Sequence, residues 1–341
     1  MTTGGPPGQA DDDLRFVLLD HALDFLFPAA LRAVTALGVA DHLTREPRPF
    51  GELAEAVGAD PLSLYRALRL VATRGVVTEV DTGRFASTPL GDLLRTDTPA
   101  SLGPAVLMIT DPTFWRPAGE LAETVRTGTS VFEQVFGVPF FEHFARDPDT
   151  AAVFHVGMAS MSDPENPLVA AACEFPDSGV VVDLGGGHGG LLLAVLRDHP
   201  GLRGVLYDQE HVLAGHLLGR LGADDRWETA AGDFFTDAPP GDFYLVKRIL
   251  HDWDDEQCVR ILEHCRRGVS DHGRLLVVDA VVPPGNAPDH GKLMDLLMMS
   301  SLPGRERTRA EFEDLFTRAG FRLTRVVPTG SRLSVVEGVP A

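Results

Sequence analysis

Val181-Val-Asp183-Leu-Gly185-Gly-Gly187-His-Gly189-Gly190 sets the architecture of the C-terminal half of the chain. Its β-branched start reads as a strand, and the glycines lie where that strand turns into a helix. Bare backbone at such a turn lets a ligand approach closely, and a helix N-terminus favours negative charge. Strand patterns recur at Val180–Leu184, Gly204–Asp208, Trp227–Ala230, Phe243–Lys247, Arg274–Asp279, Phe321–Val327 and Arg332–Val336. Helical patterns fit between the first five and again at Thr308–Ala319, which predicts a mostly parallel sheet covered on both faces. Only Pro328-Thr-Gly-Ser331 separates the last two strands. A parallel crossover needs a longer connection, so these two form a hairpin and one strand runs antiparallel.

The whole chain has 341 residues, which suggests about two domains. Its formal net charge of −19 repels phosphate backbones and anionic membranes. Cys173, Cys258 and Cys265 form no CxxC pair, and their small odd number suits a reducing compartment. Residues 1–13 read as a frayed Gly/Pro-rich acidic tail without a secretory pattern. Ala22–Ala40 is apolar, but Asp24, Pro28 and Arg32 interrupt it, so it reads as an amphipathic buried helix and not a membrane span. The expected setting is the cytoplasm.

Phe50-Gly-Glu-Leu-Ala-Glu-Ala-Val-Gly58, then Asp60-Pro61 and Leu62–Thr73, resembles a helix-turn-helix, with Asp60 as N-cap and Pro61 at the first helical position. A β-hairpin through Asp81-Thr-Gly83 follows and completes a winged-helix pattern. DNA binding is disfavoured, because residues 1–105 hold nine basic against fourteen acidic residues. Packing or dimerisation is the better reading. The broad apolar surface of Leu14–Val39, including Phe16, Leu19, Leu23, Phe25 and Leu26, points to a two-fold homodimer. Residues 101–178 are mainly helical and rich in aromatic and Met side chains. Each of these is either core or the wall of a pocket for a flat apolar ligand, and Trp115, Phe154, Met158 and Met161 are the pocket candidates. Three regions result: 1–105, a winged-helix-like dimerisation domain; 106–178, a helical linker and pocket region; and 179–341, the cofactor-binding catalytic domain.

Gly185, Gly187 and Gly190 satisfy GxGxxG, which suits a dinucleotide or S-adenosylmethionine (SAM). Asp208 ends the second strand, where a carboxylate accepts ribose hydroxyls. Asp233, in Gly232-Asp-Phe234, follows the third strand; it either reaches an adenine amino group or serves the turn. Lys247-Arg-Ile-Leu-His251-Asp252-Trp253 follows the fourth strand. His251 thus lies at the carboxyl end of a parallel strand, and an imidazole with an ordinary pKa of about 6.5 suits proton abstraction. Asp254 and Gln257 form a capping box, which explains part of the acidic cluster without a metal, and no metal site is expected.

Together these motifs resemble class I SAM-dependent O-methyltransferases of the plant caffeate type and their bacterial relatives in aromatic natural-product tailoring. The resemblance covers nearly the whole chain, through the winged N-terminal region, Asp183-Leu-Gly-Gly-Gly-His-Gly189, Asp208, Gly232-Asp233-Phe234, the Lys247–Trp253 motif, Leu276-Val-Val-Asp279 and Gly304-Arg-Glu306-Arg-Thr308. It implies an α/β Rossmann-like SAM methyltransferase domain, with a mostly parallel seven-stranded sheet and an antiparallel last strand, behind a mainly helical winged-helix dimerisation domain. His251 matches the general base, and Asp279 and Glu306 match its flanking acids. Ser162, Asp183, Gly185, Gly187, Asp208, Gln209, Gly232, Asp233, Phe234, Lys247 and Trp253 match the cofactor site. Asp252 and Met298 join the substrate-facing set. The resemblance further implies a small aromatic hydroxylated substrate, S-adenosylhomocysteine (SAH) as product, and a homodimer that lends residues to the partner's pocket. The chain departs from the family pattern in Asp208-Gln209-Glu210 for Asp-Leu-Pro, Pro303-Gly304 for Gly-Gly, and Asp279 for the commoner Glu. The alternative is a relative that uses SAM for decarboxylation, hydroxylation or a pericyclic step; retention of His251 with its acids favours methylation.

Overall fold

A computed structural model of the chain describes residues 9–341. The chain divides into two compact units. One comprises the residues up to Pro112 with Asp149–Met161, and the other Thr113–Pro148 with Ser162–Ala341. The segment 106–178 is therefore shared between the two units: its helix Pro148–Ser162 belongs almost wholly to the first.

The first unit opens with the helix Gln9–Leu23. Residues 1–8 of the expected tail lie outside the described residues. The helix starts five residues before Leu14 because Gly8 is the last breaker in the sequence. The winged-helix pattern is present. Asp60 caps the helix Pro61–Ala72 by accepting from the Ser63 amide at 2.8 Å. Strands Val77–Asp81 and Arg84–Ser87 form the wing, turning through Gly83 at φ +78°. Leu53, Leu64, Leu68, Val71 and Phe85 close its core, whereas Leu14, Phe16, Leu18, Leu19, Leu23 and Phe25 are each more than half exposed.

The second unit holds the seven-stranded sheet. We number its strands β1 (Gly179–Leu184), β2 (Leu202–Asp208), β3 (Trp227–Ala231), β4 (Gly241–Lys247), β5 (Val269–Asp279), β6 (Phe321–Pro328) and β7 (Ser334–Pro340). Their order across the sheet is β3-β2-β1-β4-β5-β7-β6. β7 inserts antiparallel between β5 and β6, and the other pairings are parallel. β7 starts at Ser334, not Arg332, because the turn extends further: Thr329 Oγ1 donates to the Leu333 carbonyl at 2.7 Å.

Alternate residues of each strand feed two separate cores. Val182, Tyr244, Val246 and Val277 pack with helices Asp255–Gly268 and Arg309–Arg318. Val181, Phe243, Leu245 and Val278 pack with helix Gly190–Asp198 on the opposite face. A sheet buried on both faces carries continuous apolar runs, so polar side chains are pushed to the strand ends. β1 lies between β2 and β4, where the strand order reverses, and the crevice outside that point is where such sheets bind ligands.

The helix Asp255–Gly268 begins directly behind Trp253, and its capping box is formed, with Asp254 Oδ1 accepting from the Gln257 amide at 2.8 Å. Loss of an N-cap costs about 1 kcal/mol. Asp254→Ala should lower Tm by about 2 °C in a calorimetric scan.

Candidate active site

The glycine turn after β1 has the predicted bare backbone. Gly185, Gly187 and Gly189 have φ values of +66°, +59° and +77°. A Cβ at Gly185 would lie 2.5 Å from Ile249 Cδ1, whereas the space beside Gly187 is open. Asp208 braces this turn from the end of β2. Its Oδ2 accepts from the Gly187 amide at 2.8 Å and its Oδ1 from the Gln209 amide at 2.7 Å.

Lys247 ends β4 with a buried side chain. Its Nζ donates to Ser162 Oγ at 2.6 Å and to Asn166 Oδ1 at 2.7 Å, and Glu165 Oε2 stands 3.7 Å away. Burial dominates and pulls this ammonium down to about 8, against the attraction of Glu165. Asp183, fully buried beneath the turn, is pushed up to about 7 by desolvation, with Lys247 opposing. Its Oδ2 has no hydrogen-bond partner. Asp233 Oδ1 accepts from the Phe235 amide at 2.9 Å. Trp253 sits among aromatic rings, stacked on Phe141 at 5.5 Å and edge-on to Phe235 at 4.7 Å and Phe234 at 6.2 Å.

His251 lies in the short 3-10 turn Leu250–Asp252 and is buried. Its Nδ1 is 2.9 Å from Glu306 Oε1, and its Nε2 is 3.4 Å from Asp252 Oδ1. Burial opposes the imidazolium, but Asp252, the Glu306 hydrogen bond and Asp279 outweigh it and hold the ring up at about 9. Desolvation also raises Asp252 to about 6 and Asp279 to about 7. The three acids play unequal parts: Glu306 bonds the ring directly, whereas both Asp279 oxygens have no hydrogen-bond partner and act on His251 through charge alone.

Two residues outside the expected set hold this arrangement. Arg307, almost fully buried, donates to the Leu250 carbonyl at 2.7 Å and the Trp253 carbonyl at 2.9 Å, and pairs with Asp255 at 2.8 Å. It ties the His251 turn to the loop that carries Glu306. Gly304 lets the two loops meet, because a Cβ there would overlap the His251 carbonyl oxygen and lie 2.5 Å from the Trp253 nitrogen. Asn166, Glu165 and Arg248 were also missed; their partners lie about eighty positions away in the chain, and no local pattern announces such contacts.

Of the substrate-facing candidates, Asp252 and Met298 lie in the second unit with Trp115, which is 38% exposed. Phe154, Met158 and Met161 sit half-buried on the helix Pro148–Ser162 in the first unit. Gln209 is exposed behind Asp208, and Gly232 is held against Tyr207, whose hydroxyl its Cβ would strike. Among the described residues no group of three or more His, Cys, Asp and Glu side chains is placed to hold a metal ion, and no helix is long and apolar enough to cross a membrane.

An open glycine turn, a carboxylate braced at the end of β2, an orphaned buried acid and an aromatic wall fit an adenosyl cofactor, with an acid–base cluster next to it. That combination defines an α/β group-transfer enzyme. Within that class the chain belongs to the SAM-dependent O-methyltransferases: the family's O-methyltransferase domain matches residues 118–322 and its dimerisation domain residues 19–97. It is similar to the phenazine O-methyltransferase PhzM of Lysobacter antibioticus, with 40% identity over 96% of each chain. It also resembles the mitomycin biosynthesis 6-O-methyltransferase of Streptomyces lavendulae, with 37% identity over 89% of this chain and 87% of the relative. Among solved structures, the SAH-bound form of CalO1, a methyltransferase in calicheamicin biosynthesis, superposes with a TM-score of 0.91 at 45% identity, covering 98% of this chain and all of that one.

Two variants test the site. Gly304→Ala should lower kcat at least ten-fold by forcing the Glu306 loop off His251, while SAH affinity by calorimetry stays within a few-fold. Asp208→Ala should weaken SAH by about ten-fold or more, since a hydrogen bond to a charged group contributes about 1.5–3 kcal/mol. Unchanged affinity would remove Asp208 from the cofactor site.

Proposed function

We propose that the chain transfers the methyl group of SAM to a hydroxyl of a flat aromatic secondary metabolite, with His251 as general base. The observation that carries this reading is the buried hydrogen bond between His251 Nδ1 and Glu306 at the carboxyl end of the sheet. It fixes one ring nitrogen and leaves Nε2, 3.4 Å from Asp252 Oδ1, as the one that can take a proton. The mitomycin and phenazine relatives are named for aromatic natural products, which supports the substrate class.

SAM supplies, when bound, an electrophilic methyl group on a sulfonium. The chain must therefore orient the acceptor and take its proton. A phenol has a pKa of about 10, so only a small fraction is ionised near neutrality. His251 Nε2 accepts that proton, and Glu306 stabilises the imidazolium by accepting from Nδ1, as an orienting acid does in a triad. Asp279 adds a second negative charge without a bond. Asp208 and the glycine turn hold the ribose side of the cofactor, Asp233, Phe234 and Trp253 its adenine side, and Lys247, Ser162 and Asp183 the opposite end. Within the second unit, Trp115 and Met298 are the apolar wall for the acceptor, and Asp252 is its polar edge. The unpartnered apolar residues of Leu14–Phe25 and the dimerisation domain support a homodimer. Three free buried cysteines suit a cytoplasmic setting.

A base must be neutral to act. The carboxylates hold His251 up at about 9 in the free protein, so its neutral fraction grows as pH rises from 7 towards 9, and kcat/KM should climb over that window. His251→Ala should lower kcat at pH 7 by about 10²–10⁴ while SAH affinity stays within a few-fold. The deficit should shrink at high pH, where the phenol ionises unaided. Label transfer from SAM to a panel of polycyclic phenols, followed by mass spectrometry, measures both, and a wild-type rate in the variant near pH 7 would sink the base assignment.

A further inference from the structure

Among the described residues, Arg248 is the one non-glycine residue with a left-handed backbone, at φ +54°. Such a conformation strains an ordinary residue and persists only where the surroundings enforce it. It occurs between the cofactor-site lysine and His251, and the surroundings that enforce it are visible. The Arg248 amide donates to the Val278 carbonyl at 3.1 Å, which extends the β4–β5 pairing one residue past Lys247. One nitrogen of the buried guanidinium, Nη2, donates to both oxygens of Glu165, at 2.9 and 3.0 Å. Its Nε is buried with no hydrogen-bond partner. Glu165 is thus bracketed by two consecutive cations, since Lys247 Nζ lies 3.7 Å from its other oxygen. Immediately beyond the strained residue, Ile249 covers Gly185 and the chain enters the 3-10 turn of His251.

Two roles are combined in one side chain. A buried charge-assisted arginine–carboxylate contact is short and strong, so it holds the turn that presents His251. It also places a permanent positive charge in a cluster that otherwise holds too many acids. The charged groups facing His251 are Asp252 on its own turn, Asp279 at the end of β5, and Glu306 and Arg307 on the later loop. Arg248 acts electrostatically on Asp252 and Asp279.

We propose that Arg248, clamped by Glu165, is a positioning residue that holds the strained turn presenting His251 and sets the charge balance of the His251–Asp252–Asp279–Glu306 cluster. The proposal rests on the reading of that cluster as the acid–base site, but the titration arm of its test does not need the acceptor. Removing the Arg248 cation leaves Glu165 with Lys247 alone, so the field at His251 becomes more negative and its titration moves to higher pH. Removing the Glu165 anion leaves Arg248 uncompensated, so the titration moves to lower pH. General loosening of the loop would move both variants the same way.

The experiment is an NMR pH titration of the ¹³C-histidine-labelled full chain saturated with SAH, with His251→Ala used to assign the resonance. Arg248→Met should raise the His251 midpoint by about half a unit or more, and Glu165→Gln should lower it by a similar amount. Arg248→Lys, which keeps the charge but loses the length and planar shape of the guanidinium, should restore the midpoint while leaving kcat below that of the unmodified chain. Shifts of the same sign, or none, in Met and Gln variants overturn the proposal, and so does full recovery of both midpoint and kcat in the Lys variant. Should Arg248→Met not fold, Glu165→Gln, which is close to isosteric, decides the matter alone by the direction of its shift. If the opposed shifts appear while His251→Ala methylates at the wild-type rate, the clamp stands and the base assignment falls.

Discussion

A buried imidazole bonded to a buried carboxylate is the constraint that the rest of this structure serves. Taking one ion out of water costs several kcal/mol even after relaxation, and three acids surround His251. They cannot all ionise without help. Part of the adjustment is protonic, with Asp252 and Asp279 pushed upward by burial and the imidazole held up by its neighbours. Each unit of such a shift corresponds to about 1.4 kcal/mol, so the cluster holds its charge state only because cations lie close by. Arg307 and Arg248 are those cations, and both are buried with it.

The sheet explains why this polar cluster can exist at all. Both faces of the central strands are occupied by apolar side chains, so the two cores tolerate no charge. The carboxyl ends of β1, β2, β4 and β5 are where the chain leaves that environment, and they carry Asp183, Asp208, Lys247 and Asp279. A pairing register with Asp183 opposite Leu206 and Leu245, and Lys247 opposite Val278, brings those four ends to one edge. Cofactor side and base side are neighbours because β1 and β4 are neighbours.

Most of this was legible in the sequence for a physical reason. Strands buried on both faces show as apolar runs, glycine turns leave a composition signature, and caps such as Asp60 and Asp254 act within a few residues. The family resemblance then supplied roles for His251, Asp279 and Glu306. The inequality between the two acids was not legible, because Asp279 is one methylene shorter than the usual Glu and only the folded geometry shows that it makes no hydrogen bond. Arg248, Glu165, Asn166 and Arg307 escaped for a related reason. A left-handed arginine has no sequence signal of its own, and its partner is 83 residues away. Gly304 is the glycine that the motif keeps beside the Pro303 departure, but the close approach to the His251 carbonyl that demands it is a tertiary fact.

Most of the remaining irregularities fall in the same place. Buried polar atoms without a hydrogen-bond partner include Asp183 Oδ2, Arg248 Nε, both oxygens of Asp279 and Glu306 Oε2, and the strained backbone of Arg248 lies among them. Unpaired buried groups and strained residues destabilise a fold, so they persist where function requires them and where the surroundings can carry them. Here the surroundings are two saturated apolar cores and two capped helices whose first turns abut the site. Apolar packing supplies stability without direction. The directional, poorly satisfied groups gather instead at the strand ends, beside the proposed cofactor and acceptor sites.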